Sequence, residues 1–158
     1  MPGRGVHFAV SDPELKQLLA ARDDEAVMDL IEKIEERWDK SWLIETDSAW
    51  WAIHLALTAN GAPAGLERVV LGGRPLYKGD DYHVVVVGAK DVPEVADALG
   101  QLDEASFRRL YDRLDRKAYG RPRSAEDFAY TWESFVPLQE FWRRAADARR
   151  NVVFTVDG

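Results

Sequence analysis

The sequence predicts an α+β fold: a single domain over residues 1–158, with about six helices packed around a small sheet of about four short strands. Three observations predict it. Strand-prone segments lie far apart in the chain, at its two ends and around a valine run near the middle. Helical periodicities come in consecutive runs between them. No internal repeat, low-complexity tract or linker divides the chain into parts.

Val6 to Val10 alternates and is β-prone, which predicts the first strand. Ser11-Asp12-Pro13-Glu14 reads as a capping box with an early proline and starts a helix running to about Ala21. Asp23 or Asp24 opens a second helix whose apolar positions Val27, Leu30, Ile31, Ile34 and Trp38 keep helical spacing, with Glu32, Glu35 and Glu36 turned to water. Asp39 to Glu45 reads as irregular. Thr46 or Asp47 is expected to cap a third helix ending near Asn60-Gly61. Arg68 to Leu71 is read as a short strand closed by Gly72-Gly73. Tyr82 to Val87, four valines after Asp80-Asp81-Tyr82-His83, predicts a central strand covered on both faces.

Asp91 and Asp103 cap the next two helices, the second carrying the stripe Phe107, Leu110, Tyr111 and Leu114. Tyr119 to Arg123 is a Gly/Pro turn. Ser124 starts a long helix with Phe128, Trp132, Phe135, Trp142 and Ala146 on its inner side. Pro137 lacks the backbone N–H, so a kink or break is expected just before it. Asn151 to Val156 closes the chain as a strand.

Composition narrows the function. With 46% hydrophobic residues and six tryptophans the chain can bury a dense core. Cysteine is absent, which removes disulfides, thiolate catalysis and zinc knuckles from consideration. No apolar run approaches a membrane span, and MPGRGVHFAV is too short in apolar residues for a secretory signal, so a cytoplasmic protein is expected. The net charge of −7 is uneven: residues 1–104 hold 10 Lys/Arg against 20 Asp/Glu, and residues 105–158 hold 11 against 8. Nucleic-acid binding is not expected of so acidic a first part, since phosphate contacts need positive potential.

Four segments resemble the YfbM-like family of small bacterial domains of unknown function. The stretch TDSAWWAIHLALT, residues 46–58, is similar to the family's D-K-x-W-x-x-L-H-x-x-L-T core. LERVVLGGRPL resembles its V-L-G-G segment, DVPEVADALGQLDEASFRRLYD its paired helices, and LQEFWRRAADARRNVVFTVDG its final helix and strand. Departures are visible. Trp51 stands where members often carry a second histidine, Ala59 replaces the glycine after the L-T pair, and Tyr119 to Pro122 is a loose counterpart of an I-Y-P element. The resemblance implies an α+β domain and no activity; a fold by itself does not assign one.

His54 is the lone polar side chain in an apolar helix, which predicts that it lies inside the protein, either as a satisfied core group or as the start of an acid–base site with Tyr82 or His83. His7 and His83 fall in strands that would make them neighbours if those strands paired. No metal is expected, because H-x-x-H and H-E-x-x-H spacings are missing, and no cofactor is expected, because no phosphate-binding glycine loop or dinucleotide fingerprint occurs. The segment Arg108–Arg123 is arginine-rich; beyond a solvated helix face it could meet an anion or nucleotide through Arg109, Arg113 and Arg116. If one tryptophan is exposed as a contact surface, Trp42 is the choice. The leading expectation is a non-enzymatic binding or interaction domain, one version being an immunity-type or regulatory protein whose acidic surface neutralises a basic protein partner.

Overall fold

The computed structural model describes residues 3–157. The first and last strands of the chain lie side by side at its centre. β1 (Gly5–Val10) runs antiparallel to β5 (Asn151–Asp157), pairing His7 with Phe154 and Val10 with Asn151. β2 (Leu43–Asp47) flanks β1 at one edge. On the other side β4 (Tyr82–Val87) pairs with β5, and the two-residue β3 (Arg74–Pro75) pairs with β4. The sheet order is β2-β1-β5-β4-β3, with every neighbouring pair antiparallel.

Helices cover both faces. They are α1 (Asp12–Leu19), α2 (Asp24–Glu36), α3 (Ala49–Leu57), α4 (Val92–Gly100), α5 (Glu104–Asp112), α6 (Arg116–Tyr119) and α7 (Ala125–Asp147), with a 3₁₀ turn at Leu66–Arg68. Successive side chains of a strand point to opposite faces, and the sheet uses this to feed two cores. Val6, Phe8, Val10, Val84, Val86 and Val153 pack with Leu18, Val27 and Ile31 of α1 and α2. Ala9, Val85, Val87, Val152, Phe154 and Val156 face the larger core of α3 to α7. The α+β fold predicted from the sequence is the one observed, with five strands and seven helices among the described residues.

Local chemistry explains most boundaries. Ser11 forms the expected capping box, accepting from Glu14 N while Glu14 accepts from Ser11 N at 2.9 Å. Asp103 and Ser124 cap α5 and α7 as expected. Asn151 of β5 ties the end of β1 to the loop after β4, its amide donating to the carbonyl of Val10 at 3.2 Å and its oxygen accepting from Ala89 N at 2.7 Å.

Several expectations need correction. Leu43 to Glu45, within the stretch Asp39 to Glu45 expected to be irregular, belongs to the edge strand β2 (Leu43–Asp47), and Ser48 rather than Thr46 or Asp47 precedes α3. Arg68 to Leu71 is not a strand. Val69 and Val70 are buried in the end of a 3₁₀ turn, where the β-branched run serves core packing rather than a ladder. β4 is covered on both faces as predicted, but the middle strand is β5. α7 runs unbroken through Pro137; Pro137 and Glu133 are both exposed, so the carbonyl left without a donor lies on the water side of the helix. α2 stops at Glu36, which puts Trp38 outside the helix.

Candidate functional site

His54 does not sit sealed in the core. α3 buries Ala49, Trp50, Ala52, Ile53, Ala56 and Leu57, whereas Trp51, His54 and Leu55 form a half-buried strip on its outer side. The imidazole lies nearly parallel to the Trp51 ring, with centroids 6.3 Å apart, and its Nδ1 has no hydrogen-bond partner among the described residues. Burial holds its pKa below the usual histidine value.

The sealed histidine is His7. Its ring sits among Phe141, Trp142 and Phe154, fully buried, with Nε2 2.7 Å from the carbonyl of Val69. A carbonyl only accepts, so Nε2 carries the hydrogen and Nδ1 is the bare nitrogen. Nδ1 has no partner among the described residues, and burial pushes the pKa down to about 4. His7 and His83 are not neighbours, because β5 lies between their strands. Tyr82 and His83 project to opposite faces of the sheet, Tyr82 packing edge-on against Tyr77.

His83 lines a cavity of about 620 Å³ whose walls include Trp50, Trp51, Leu71, Tyr119, Arg121 and Asp157. His54 is not one of these lining residues; its ring lies nearly parallel to that of Trp51, which is. The two indoles are fixed by their N–H groups: Trp50 donates to the Gly3 carbonyl at 2.7 Å and Trp51 to the Ala118 carbonyl at 3.2 Å. Neither therefore offers the cavity a free donor. Gly5 makes the Trp50 position possible, since a Cβ there would stand 2.7 Å from the ring.

Behind Tyr119 lies a buried carboxylate. Asp127 accepts from the Tyr119 hydroxyl at 2.8 Å on both oxygens and from the Tyr111 hydroxyl, and Arg121 approaches it to 3.7 Å. Burial, reinforced by the bonds to Asp127, raises both phenols well above their usual pKa, so each stays a protonated donor. This network fixes α6 and the turn after it against the start of α7. No single sequence motif marks it, because its members come from three elements.

The surface residues singled out from the sequence are separated. Arg109, Arg113 and Arg116 are exposed on α5, its end and α6, with Arg113 donating to the Asn60 carbonyl at 3.4 Å. Trp42 is half-buried beneath the Arg150 guanidinium, 4.1 Å from its ring centroid. It borders another cavity, about 590 Å³, with Phe8, Glu14, Arg37 and Arg150. The tryptophan that stands in water is Trp38, 42% exposed, held at a φ of 43° after the end of α2. On α2 itself Glu25, Asp29, Glu32 and Glu36, all exposed, follow the i, i+4, i+7, i+11 spacing of one helix face. That spacing is visible in the sequence; the exposure of Trp38 is not. No three His, Asp or Glu side chains converge into a metal-binding group among the described residues.

The family of a domain of unknown function, DUF1877, matches residues 1–155. The chain belongs to that family. YfbM from Escherichia coli, a protein of unknown function with a crystal structure, is similar at 20% identity over 99% of each chain, with a TM-score of 0.72. At that identity the likeness shows the fold. No curated protein matches the sequence. In this DUF1877 chain the segments that carry the resemblance fall on α3, the turn before β3, the α4–α5 pair and the junction of α7 with β5. Among its described residues no helix is long and apolar enough to cross a membrane.

Proposed function

We propose that this protein is a non-enzymatic interaction domain that docks a basic protein through the outer face of α1 and α2, in an immunity-type or regulatory role. The observation that carries the reading is the acidic stripe Glu25, Asp29, Glu32 and Glu36. Like charges at i, i+4 cost a helix a few tenths of a kcal/mol per pair. None of these four carboxylates is in an ion pair among the described residues. Residues 11–39 as a whole hold ten acidic and four basic side chains. A cationic partner would turn that repulsion into attraction and speed encounter. Trp38, two residues past the end of α2, adds an exposed aromatic side chain, the residue type that dominates many interfaces. The separate surroundings of His54, Tyr82 and His83 favour binding over a histidine-centred reaction.

The test is capture from an extract of the source cells, with wild type as bait against two variants: Trp38→Ser, and the combined Glu25→Lys, Glu32→Lys and Glu36→Lys. The expected result is a basic protein retained by wild type, released by salt, and lost from both variants while their melting temperatures hold. Retention of the same protein by both variants, or binding insensitive to salt, would overturn the proposal.

A further inference from the structure

One side chain borders two depressions on the far side of the sheet from α1 and α2. Arg121 lines the cavity of Trp50, Trp51, Leu71 and His83, and also a smaller one of about 290 Å³ shared with Asp112, Arg116, Pro122 and Arg123. The two differ in chemistry. The larger is lined by two indoles whose N–H groups are already used, together with the aliphatic Leu71. The smaller sets three guanidinium groups against one carboxylate, a local positive surface on a chain of net charge −7.

The guanidinium groups are differently held. Arg121 is backed by the buried Asp127 and leaves 42% of its side chain exposed. Arg123 donates to the carbonyls of Asp112 and Tyr111. Arg116 is exposed and has no ion pair among the described residues. For Arg121 and Arg123, held before binding, the ordering cost of engaging a ligand is lower.

We infer that the two depressions form one site for a ligand of the nucleoside monophosphate class, a planar ring carrying a phosphate. The ring lies against the Trp51 indole that lines the larger depression, since flat π-systems pair with indoles in offset or edge-on geometry. The phosphate meets Arg116, Arg121 and Arg123, whose planar forks match its oxygens in pairs. The larger depression falls within the volume range of small-molecule sites, roughly 300–1,000 Å³. A single nucleotide fits this arrangement better than a polymer, whose neighbouring phosphates would meet an acidic chain. The site shares no residue with the acidic face, so the two proposals stand or fall separately.

Isothermal titration calorimetry of the full chain tests it with AMP, GMP, CMP and UMP, each against its nucleoside and against inorganic phosphate. At least one monophosphate is expected to bind saturably, about tenfold or more tighter than its nucleoside or phosphate alone, as charge-assisted contacts add to stacking. Arg116→Gln should weaken the monophosphate and leave the nucleoside unchanged; Arg121→Gln, at a residue bordering both depressions, should weaken the monophosphate, and Trp51→Leu should weaken both. Because Arg121 supports a buried carboxylate, Arg116→Gln is the variant expected to keep the wild-type melting temperature. No saturable binding by any of the four, phosphate alone binding as tightly, or a stably folded Arg116→Gln binding like wild type would each overturn the site.

Discussion

The two faces of the sheet solve the same burial problem in opposite ways. On one side α1 and α2 cover Val6, Phe8, Val84 and Val86 with aliphatic residues, chiefly Leu18, Val27 and Ile31, and turn charge outward. On the other, α3 to α7 build a thicker core with Trp50, Phe107, Tyr111, Phe128, Phe135, Phe141 and Trp142. Large rings bury more area per residue, so the thick side carries more of the hydrophobic stabilisation. It also encloses polar groups, His7 and Asp127, that a two-helix layer could not shield. The thin side therefore has surface to spare for a partner, while the thick side holds the fold and its aromatic cavity.

Mutations can break or sharpen that contrast. The largest effect is expected from Phe107→Ala on the thick side, about 3–5 kcal/mol of lost stability, because the ring is fully buried against Phe135 at a centroid distance of 4.2 Å. Ile31→Val on the thin side should cost about 0.5–1.5 kcal/mol. Urea unfolding of the two variants measures both, and comparable losses would erase the distinction.

Acid comes next. An unfolded His7 takes a proton near pH 6.5, whereas the buried imidazole waits until about 4. Between those values the unfolded state binds the extra proton, so the His7 contribution is intact above pH 6.5 and fades as pH falls toward 4. The loss is expected to reach about 3 kcal/mol, from 1.36 kcal/mol per pKa unit. Unfolding free energies measured across that window should show the slope in wild type and its absence in His7→Gln. His54→Gln should remove less of it, since His54 is only half-buried. Equal effects from the two substitutions would mean that the thick layer does not seal His7.

The smallest change is expected at the thin side's edge. Trp38→Ser should alter stability by no more than about 0.5 kcal/mol, the usual range for exposed positions. A larger loss in thermal melts would show that Trp38 supports the layer rather than extending from it.

Elements with local signals are legible in the amino-acid order. The Ser11 capping box, the Asp103 and Ser124 caps, the Phe107-Leu110-Tyr111-Leu114 stripe and the valine strand each depend on residues a few positions apart. The segments where expectation and structure differ share another character. Leu43–Asp47 is recognisable as a strand only when β1 lies beside it, and the Val69-Val70 pair resembles a strand until the core claims both side chains. α3 reads as buried all round because Trp51 and Leu55 are apolar, yet those residues face outward and Trp51 lines a cavity. Trp38 and Trp42 exchange their expected roles because Arg150, far away in the chain, covers Trp42. Of the site, only the histidines and the arginine-rich segment can be picked out by residue type.

By itself, then, the amino-acid order determined the α+β class, most helix starts, the charge asymmetry and the family. Periodicity, caps and composition are short-range properties that a chain displays before it folds. Tertiary structure alone decided that His7 and not His54 is sealed, that Asp127 gathers Tyr111, Tyr119 and Arg121, and that Arg121 stands between an aromatic and a basic depression. Whether water reaches a side chain depends on which distant segments cover it, and those long-range contacts have no counterpart in local spacing.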